Sequence, residues 1–224
     1  MIVCIANVLG AEDVARIREE LAQADFRDGR ETAGWHARTV KRNEQANSRD
    51  ARVVALRSEV DHAIGASQLF QMATRPRRRM PVRFSRYSDS MEYGNHVDDA
   101  VMDGPDGPMR TDVSFTLFLS DPESYDGGEL VTDTTAGEQS YKLPAGSMVV
   151  YPSSTLHRVA PVTRGERVAA IGWAQSTVRD GARREVLFDL DTARRRMFDR
   201  EGKTEDFDAV SKSLANLQRM WAEI

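Results

Sequence analysis

A mainly β fold with helices at both ends is what this 224-residue sequence predicts, and three observations carry the prediction. Between Met80 and Val178, short apolar or alternating runs recur at close intervals, separated by Gly, Pro, Asp and Ser, the texture of a sandwich or barrel. Upstream, over residues 1–79, two stretches carry apolar residues at helical spacing. Downstream, over residues 179–224, helical spacing returns. The chain therefore divides into an N-terminal helical or mixed segment (1–79) packing on the core, a β core (80–178) and a C-terminal helical extension (179–224).

Taken in order, "IVCIANVL" reads as a short buried strand or entry segment. "AEDVARIREELAQADF" places Val14, Ile17 and Leu21 on one helical face, with Glu12 and Asp13 in the first turn, where the helix dipole favours acids. "DGRETAGWHARTVKRNEQ" is polar with two glycines and reads as a hairpin or loop. "ARVVALRSEVDHAIGASQLFQMA" reads as a second amphipathic helix, with Val53, Leu56, Val60 and Ile64 on one stripe, ending before Pro76. "RPRRR", Arg75 to Arg79, reads as a solvated connection. The strand candidates are "PVRFSRYS", "TDVSFTLFLS", "GGELVTD", "QSYKLP", "GSMVVYP", "LHRVAPV" and "RVAAIGWAQS". Two closing helices present Leu187 and Leu190, then Leu214, Leu217 and Trp221, to a core.

Composition narrows the function classes. A formal net charge of -4 points to neither nucleic acid nor an anionic membrane as partner. No apolar stretch is long enough to span a bilayer, and the N-terminus lacks the basic region and cleavage site of a signal peptide. The single cysteine, Cys4, excludes a disulfide within the chain, which fits a reducing cytoplasm; its apolar flanks make it a buried small hydrophobe.

Chemistry concentrates in "EYGNHVDDAV". Four histidines and 35 acidic residues in this length give roughly 0.6 chance His-x-acid matches, so the pair His96/Asp98 gains meaning only from its surroundings. In extended backbone, residues i and i+2 share a face and can chelate one ion. His36 lies in the polar N-terminal stretch and His62 inside a helix. His157 opens a strand of the β region and is the third ligand candidate. His, Asp and His form the facial triad of non-haem Fe(II) oxygenases, leaving part of the metal's coordination open. Zinc is the rival metal, although a zinc hydrolase wants a carboxylate base, and Glu92 and Asp99 are poorly spaced for one. Ten residues beyond His157, Arg167 shares a strand face with Ala169, Ile171 and Trp173, and so points inward. A buried guanidinium needs an anion: an internal partner such as Asp112 or Glu129, or a ligand carboxylate.

The segments "SRYSDSMEYGNHVDDAV", "RTDVSFTLFLSDPESYDGGELV", "KLPAGSMVVYPSSTLHRVAPVTRGERVA" and "GWAQSTVRDGARREVLFDLD" together resemble the Fe(II)/2-oxoglutarate-dependent dioxygenases, and among them the prolyl-4-hydroxylase-like PKHD-type hydroxylases. The resemblance extends over nearly the whole length. It implies a double-stranded β-helix (jelly-roll) core and a metal centre of His96, Asp98 and His157. Arg167 would hold the far carboxylate of 2-oxoglutarate, with Tyr87 facing the iron and co-substrate. The implied reaction hydroxylates an unactivated C–H bond of a peptidyl residue, amino acid or small metabolite, consuming O2 and releasing succinate and CO2, with ascorbate as a candidate reductant. Phe118 stands where animal prolyl hydroxylases carry a second tyrosine; Thr116 or Ser114, on the same strand face, would substitute. Trp173 occupies the position where nucleic-acid demethylases of the superfamily carry an arginine, which argues against that branch. Tyr93 and Trp173 are substrate-contact candidates. The segment 103–109, "DGPDGPM", is either a lid or a plain surface turn, and the loop around Trp35 is a candidate for the entrance. A homo-oligomer is compatible with the sequence. The competing classes are a non-catalytic metal-binding β-barrel sensor and a zinc hydrolase.

Overall fold

The computed structural model describes residues 1–223. Two antiparallel sheets face each other. The larger has eight strands, in the order β1 (Val3–Ile5), β14 (Met148–Pro152), β10 (Val113–Phe118), β17 (Arg167–Ser176), β6 (Arg83–Tyr87), β4 (Glu44–Ala46) and β2 (Phe26–Asp28), with β5 (Pro76–Arg79) also pairing with β17. The smaller has five, in the order β13 (Gly137–Tyr141), β12 (Leu130–Thr134), β15 (Leu156–Val159), β7 (Glu92–His96) and β3 (Lys41–Arg42). Two short two-stranded pairs complete the β structure: the hairpin of β8 (Val101–Gly104) with β9 (Gly107–Arg110), and β11 (Asp126–Gly127) with the distant β16 (Val162–Arg164).

The alternation of the central strands explains which face meets which layer. Every residue of β10 is buried, yet its two faces differ in chemistry. Phe115 and Leu117 join Phe84, Val168 and Ala170 in the core beneath the helices, whereas Ser114, Thr116 and Phe118 point between the sheets. On β17, Val168, Ala170 and Ala174 face the helices, and Arg167, Ile171 and Trp173 line the cavity between the sheets. Gly172 on the helix side has no room for a side chain: a Cβ there would lie 2.4 Å from Cζ of Phe115.

The helical layer follows the predicted stripes. Helix α1 (Ala11–Ala22) buries Val14, Ile17 and Leu21, and α2 (Ala51–Ala66) buries Val53, Leu56, Val60 and Ile64. Each such side chain, fully buried, contributes about 1.5–3 kcal/mol. The expected second helix is in fact two. Ser67 accepts a hydrogen bond from the Phe70 amide and caps a new helix, α3 (Gln68–Thr74). At the other end, α4 (Gly181–Glu201) and α5 (Glu205–Trp221) pack Leu187, Leu190, Leu214, Leu217 and Trp221 with Val178. Asp180 and Thr204 cap them.

Two expectations are corrected and a third is sharpened. Cys4 is exposed, because strand alternation in β1 turns Ile5 inward and Cys4 outward. "RPRRR" is no solvated connection: β5 pairs with β17, Arg75 bonds Asp191, Arg78 bonds Gln175, and Arg79 lies beside Asp61. The polar stretch before α2, read as a hairpin or loop, joins the antiparallel pair β2 and β4 at its two ends. It supplies β2, β3 and β4, with 3₁₀ turns at Gly29–Thr32 and Ala37–Thr39, and so reaches both sheets. The "DGPDGPM" segment makes the tip and return strand of the β8–β9 hairpin, pinned where Met109 packs with Met80 and Trp173.

Candidate active site

β7 and β15 pair so that His96 and His157 stand directly opposite each other in register. Their rings lie 4.2 Å apart between centroids. Asp98, two residues beyond His96, brings its Oδ2 to 3.9 Å from His157 Nε2. Ligating atoms of His96, Asp98 and His157 all fall within 4.8 Å of one another.

The backbone fixes both imidazoles. His96 Nδ1 is 2.8 Å from the Gly94 carbonyl, and His157 Nδ1 is 2.9 Å from the Thr155 carbonyl. A carbonyl only accepts, so each Nδ1 carries the proton and each Nε2 keeps a free lone pair. Burial, with His157 beside it, pushes the His96 imidazole down to about 4, so the neutral, ligating form prevails. Asp98 is oriented by Ser114, whose Oγ donates to Oδ2 at 2.6 Å. Ser114 in turn shares a 2.7 Å hydrogen bond with Ser153. Tyr93 stacks on His96 at 3.5 Å, and burial raises its phenol well above the ordinary range.

Across the cavity, on the larger sheet, Arg167 is 1% exposed. Its Nε and Nη1 are buried without a hydrogen-bond partner. Neither internal anion considered from the sequence meets it. Asp112 is engaged by Arg110 and the Ser176 amide, and Glu129 makes no ion pair with Arg167 among the described residues. The guanidinium lies 5.2 Å from the Tyr87 ring centroid and 5.4 Å from that of Phe118. The Tyr87 hydroxyl is pushed up to about 12 by burial, so it stays protonated. Gly128, at φ +68, lets the arginine stem pass: a Cβ there would crowd Arg167 Cδ and the Tyr125 ring, each at 3.0 Å. A buried, uncompensated guanidinium costs several kcal/mol, and the donor set suits a carboxylate from outside the chain. The tied imidazoles and the oriented carboxylate likewise suit a divalent metal with open positions.

One cavity is lined by all the residues singled out from the sequence here: His96, Asp98, His157, Arg167, Tyr87, Thr116, Tyr93 and Trp173. His36 and His62 are exposed and outside it. Ala33, Gly34 and Ala37 place the loop around the 84%-exposed Trp35 at its border, and Met102 of the β8–β9 hairpin reaches it. Several residues escaped sequence reasoning. Ser114 was considered only as a co-substrate contact, and its bond to Asp98 joins residues 16 apart. Ser153, which shares a hydrogen bond with Ser114, carries no motif of its own in the sequence. Tyr125, 1% exposed with an unpartnered hydroxyl, abuts the Arg167 stem at Gly128. Lys41 and Gln45 belong to the polar stretch read as a hairpin or loop, and Arg83 carries no motif.

Residues 82–175 match the family model of the 2OG-Fe(II) oxygenase superfamily. The chain is 52% identical over 223 residues to PKHD-type hydroxylases of Synechococcus elongatus and Acaryochloris marina, covering the whole of both chains in each case. Among solved structures, a Pseudomonas putida prolyl-4-hydroxylase superposes with TM-score 0.55 at 23% identity, over 78% of this chain and 92% of that one. A Trichoplax adhaerens prolyl hydroxylase, complexed with a peptide of hypoxia inducible factor, gives 0.56 at 14%, over 77% and 82%. Those likenesses carry the fold, a jelly-roll core with helices at both ends; the full-length identity carries the family. The chain belongs to the PKHD-type hydroxylases of the 2OG-Fe(II) oxygenase superfamily and is a 2-oxoglutarate-dependent dioxygenase.

Proposed function

We propose that His96, Asp98 and His157 hold the Fe(II), that Arg167 pairs with the far carboxylate of 2-oxoglutarate, and that the product is a hydroxylated amino acid, peptide or small metabolite. The observation that supports this reading best is the buried guanidinium, with Nε and Nη1 unpartnered, in the cavity that also holds three uncommitted metal-ligating side chains. A sensor that binds metal alone has no use for that charge, and a zinc hydrolase has none for a diacid.

The chain's own residues perform positioning and charge compensation. The Gly94 and Thr155 carbonyls keep the Nε2 atoms unprotonated and aimed. Ser114 and Ser153 hold the Asp98 carboxylate. Arg167 fixes the co-substrate's orientation through a charge-assisted pair. Tyr87 and Thr116 wall its pocket, and Tyr125, whose buried hydroxyl has no partner among the described residues, packs beside the Arg167 stem at Gly128. Tyr93 and Trp173 face the substrate. Bound there, Fe(II) with 2-oxoglutarate and O2 supplies the oxidising power that converts a C–H bond to C–OH with release of succinate and CO2. No side chain has to act as a general base, in keeping with a cavity whose acids are Asp98 and the rim residue Asp99. Peptide substrate is the precedent of the Trichoplax relative. Ascorbate as reductant and a reducing cytoplasm, which an exposed lone thiol fits, complete the reading.

The test is anaerobic addition of 2-oxoglutarate to the Fe(II)-loaded protein. A weak visible charge-transfer band is expected, saturating with co-substrate and requiring far more of it in Arg167→Met. A protein that binds Fe(II) but develops no band at any 2-oxoglutarate concentration would overturn the reading.

A further inference from the structure

The cavity contains a second set of cationic and donor groups that neither the metal triplet nor Arg167 uses. Lys41 is 4% exposed, and its Nζ donates to Thr32 Oγ1 at 3.1 Å. That ammonium stands 5.1 Å from the Tyr93 ring centroid, and the same ring stacks on His96. Arg83 makes no side-chain hydrogen bond or ion pair among the described residues; its guanidinium lies 5.3 Å from the Trp173 ring centroid. Two neutral donors accompany them. Gln45 is 6% exposed with Nε2 buried and unpartnered, and Trp173 is 7% exposed with Nε1 in the same state. All four side chains line the cavity that holds His96 and Asp98.

Charge bookkeeping makes this set informative. The acids that act on Lys41 are Asp98 and Asp28, and on Arg83 only Asp98; Arg57 and the two cations themselves repel. A divalent ion, Asp98, Arg167 and the dianionic co-substrate cancel among themselves. Lys41 and Arg83 are then left with only Asp28, which is itself bonded to Arg30, and the exposed rim residue Asp99 as counter-charges. Burial, with Arg83 nearby, pushes the Lys41 ammonium down to about 8. A buried ammonium beside a half-buried guanidinium, with two idle N–H donors, is the complement of a carboxylate attached to an amide or carbonyl.

We propose that Lys41 and Arg83 form an anion subsite for the substrate, so that the enzyme hydroxylates a carboxylate-bearing molecule. The carboxylate sits between ammonium and guanidinium, and Gln45 Nε2 and Trp173 Nε1 meet the adjoining carbonyl. This rests on the metal and co-substrate assignment above. The carboxylate is either the α-carboxylate of an amino acid or peptide end, or an acidic side chain.

The experiment uses Mn(II)-loaded protein saturated with 2-oxoglutarate, where bound probes are detected by metal-induced broadening of their proton signals. The probes are N-acetyl amino acids against their α-amides, and N-acetyl-glutamyl and N-acetyl-aspartyl amides against their glutaminyl and asparaginyl counterparts. At least tenfold tighter binding of the acids in one arm is expected, and the arm that shows it identifies the source of the carboxylate. Lys41→Gln and Arg83→Gln should each lose tenfold or more of that preference, Lys41→Arg should keep most of it, and all three should keep wild-type metal and 2-oxoglutarate binding. Acids and amides bound alike, neither bound in either arm, or a preference untouched by both glutamine variants would overturn the proposal. Failure of the underlying assignment is read separately, as absence of the 2-oxoglutarate-dependent band in the wild-type Fe(II) protein.

Discussion

Two buried charge clusters in this molecule make opposite use of arginine. Between α3 and α4, Asp191 is 3% exposed and surrounded by Arg75 at 3.0 Å, Arg194 at 2.6 Å and Arg195 at 3.2 Å. Between the sheets, Arg167 is as deeply buried but has no acidic partner among the described residues. The first cluster is closed: its anion comes from within the chain and fastens the C-terminal helices to the core. The second is open, so part of its interaction energy is withheld from folding and remains for a ligand. Buried charge alone therefore does not mark a functional site; buried charge without a partner does.

That contrast can be broken at several points. The largest expected effect is at the ligands themselves: Asp98→Ala or His157→Ala should reduce 2-oxoglutarate-dependent succinate formation to background, measured by succinate assay. Next, Asp191→Ala should leave the largely buried Arg75 without its acidic partner and lower stability by about 1.5–3 kcal/mol, visible as a drop in Tm, while the affinity for 2-oxoglutarate stays within twofold. Arg167→Met should do the reverse. Loss of charge-assisted bonds worth about 1.5–3 kcal/mol weakens 2-oxoglutarate binding by about 10- to 150-fold, with Tm unchanged or raised, because an uncompensated charge has gone. If Arg167→Met instead melts like Asp191→Ala, the two clusters are of one kind and the distinction fails. Ser114→Ala should weaken metal binding by about tenfold through loss of the Asp98 orienting bond, read by metal titration. The smallest effect is at Tyr125→Phe, which should raise the 2-oxoglutarate requirement by about 3- to 10-fold and leave metal affinity alone.

Much of this was legible in the sequence because the informative periods are short. The His96/Asp98 spacing, the inward face of Arg167, Ile171 and Trp173, and the stripes of α1 and α2 depend on alternation or helical repeat within one element. What stayed hidden depends on pairing between distant segments. The Ser114–Asp98 bond joins β10 to the end of β7, and Lys41 enters the cavity only because β3 pairs with β7 in a stretch whose glycines and charges read as a hairpin or loop. Cys4 misled for a related reason: apolar neighbours say nothing about which side of a three-residue edge strand faces out. The run of arginines from Arg75 to Arg79 misled because composition signals solvent, whereas Asp61, Gln175 and Asp191, remote in sequence, supply partners.

The division of the site between the sheets has a consequence for chemical selectivity. His96 and His157 ride on the five-stranded sheet, and Arg167 and Tyr87 on the eight-stranded one. On the proposed assignment a single diacid must bridge both, so the gap between the sheets works as a caliper for chain length. Lengthening or shortening the diacid by one methylene could then be accommodated only by moving a whole packed layer, not by turning a side chain. Phe118, Tyr151 and Leu130 pack together in that gap, and Tyr151 and Leu130 also line the cavity, so on that assignment their bulk bears on which keto acid fits.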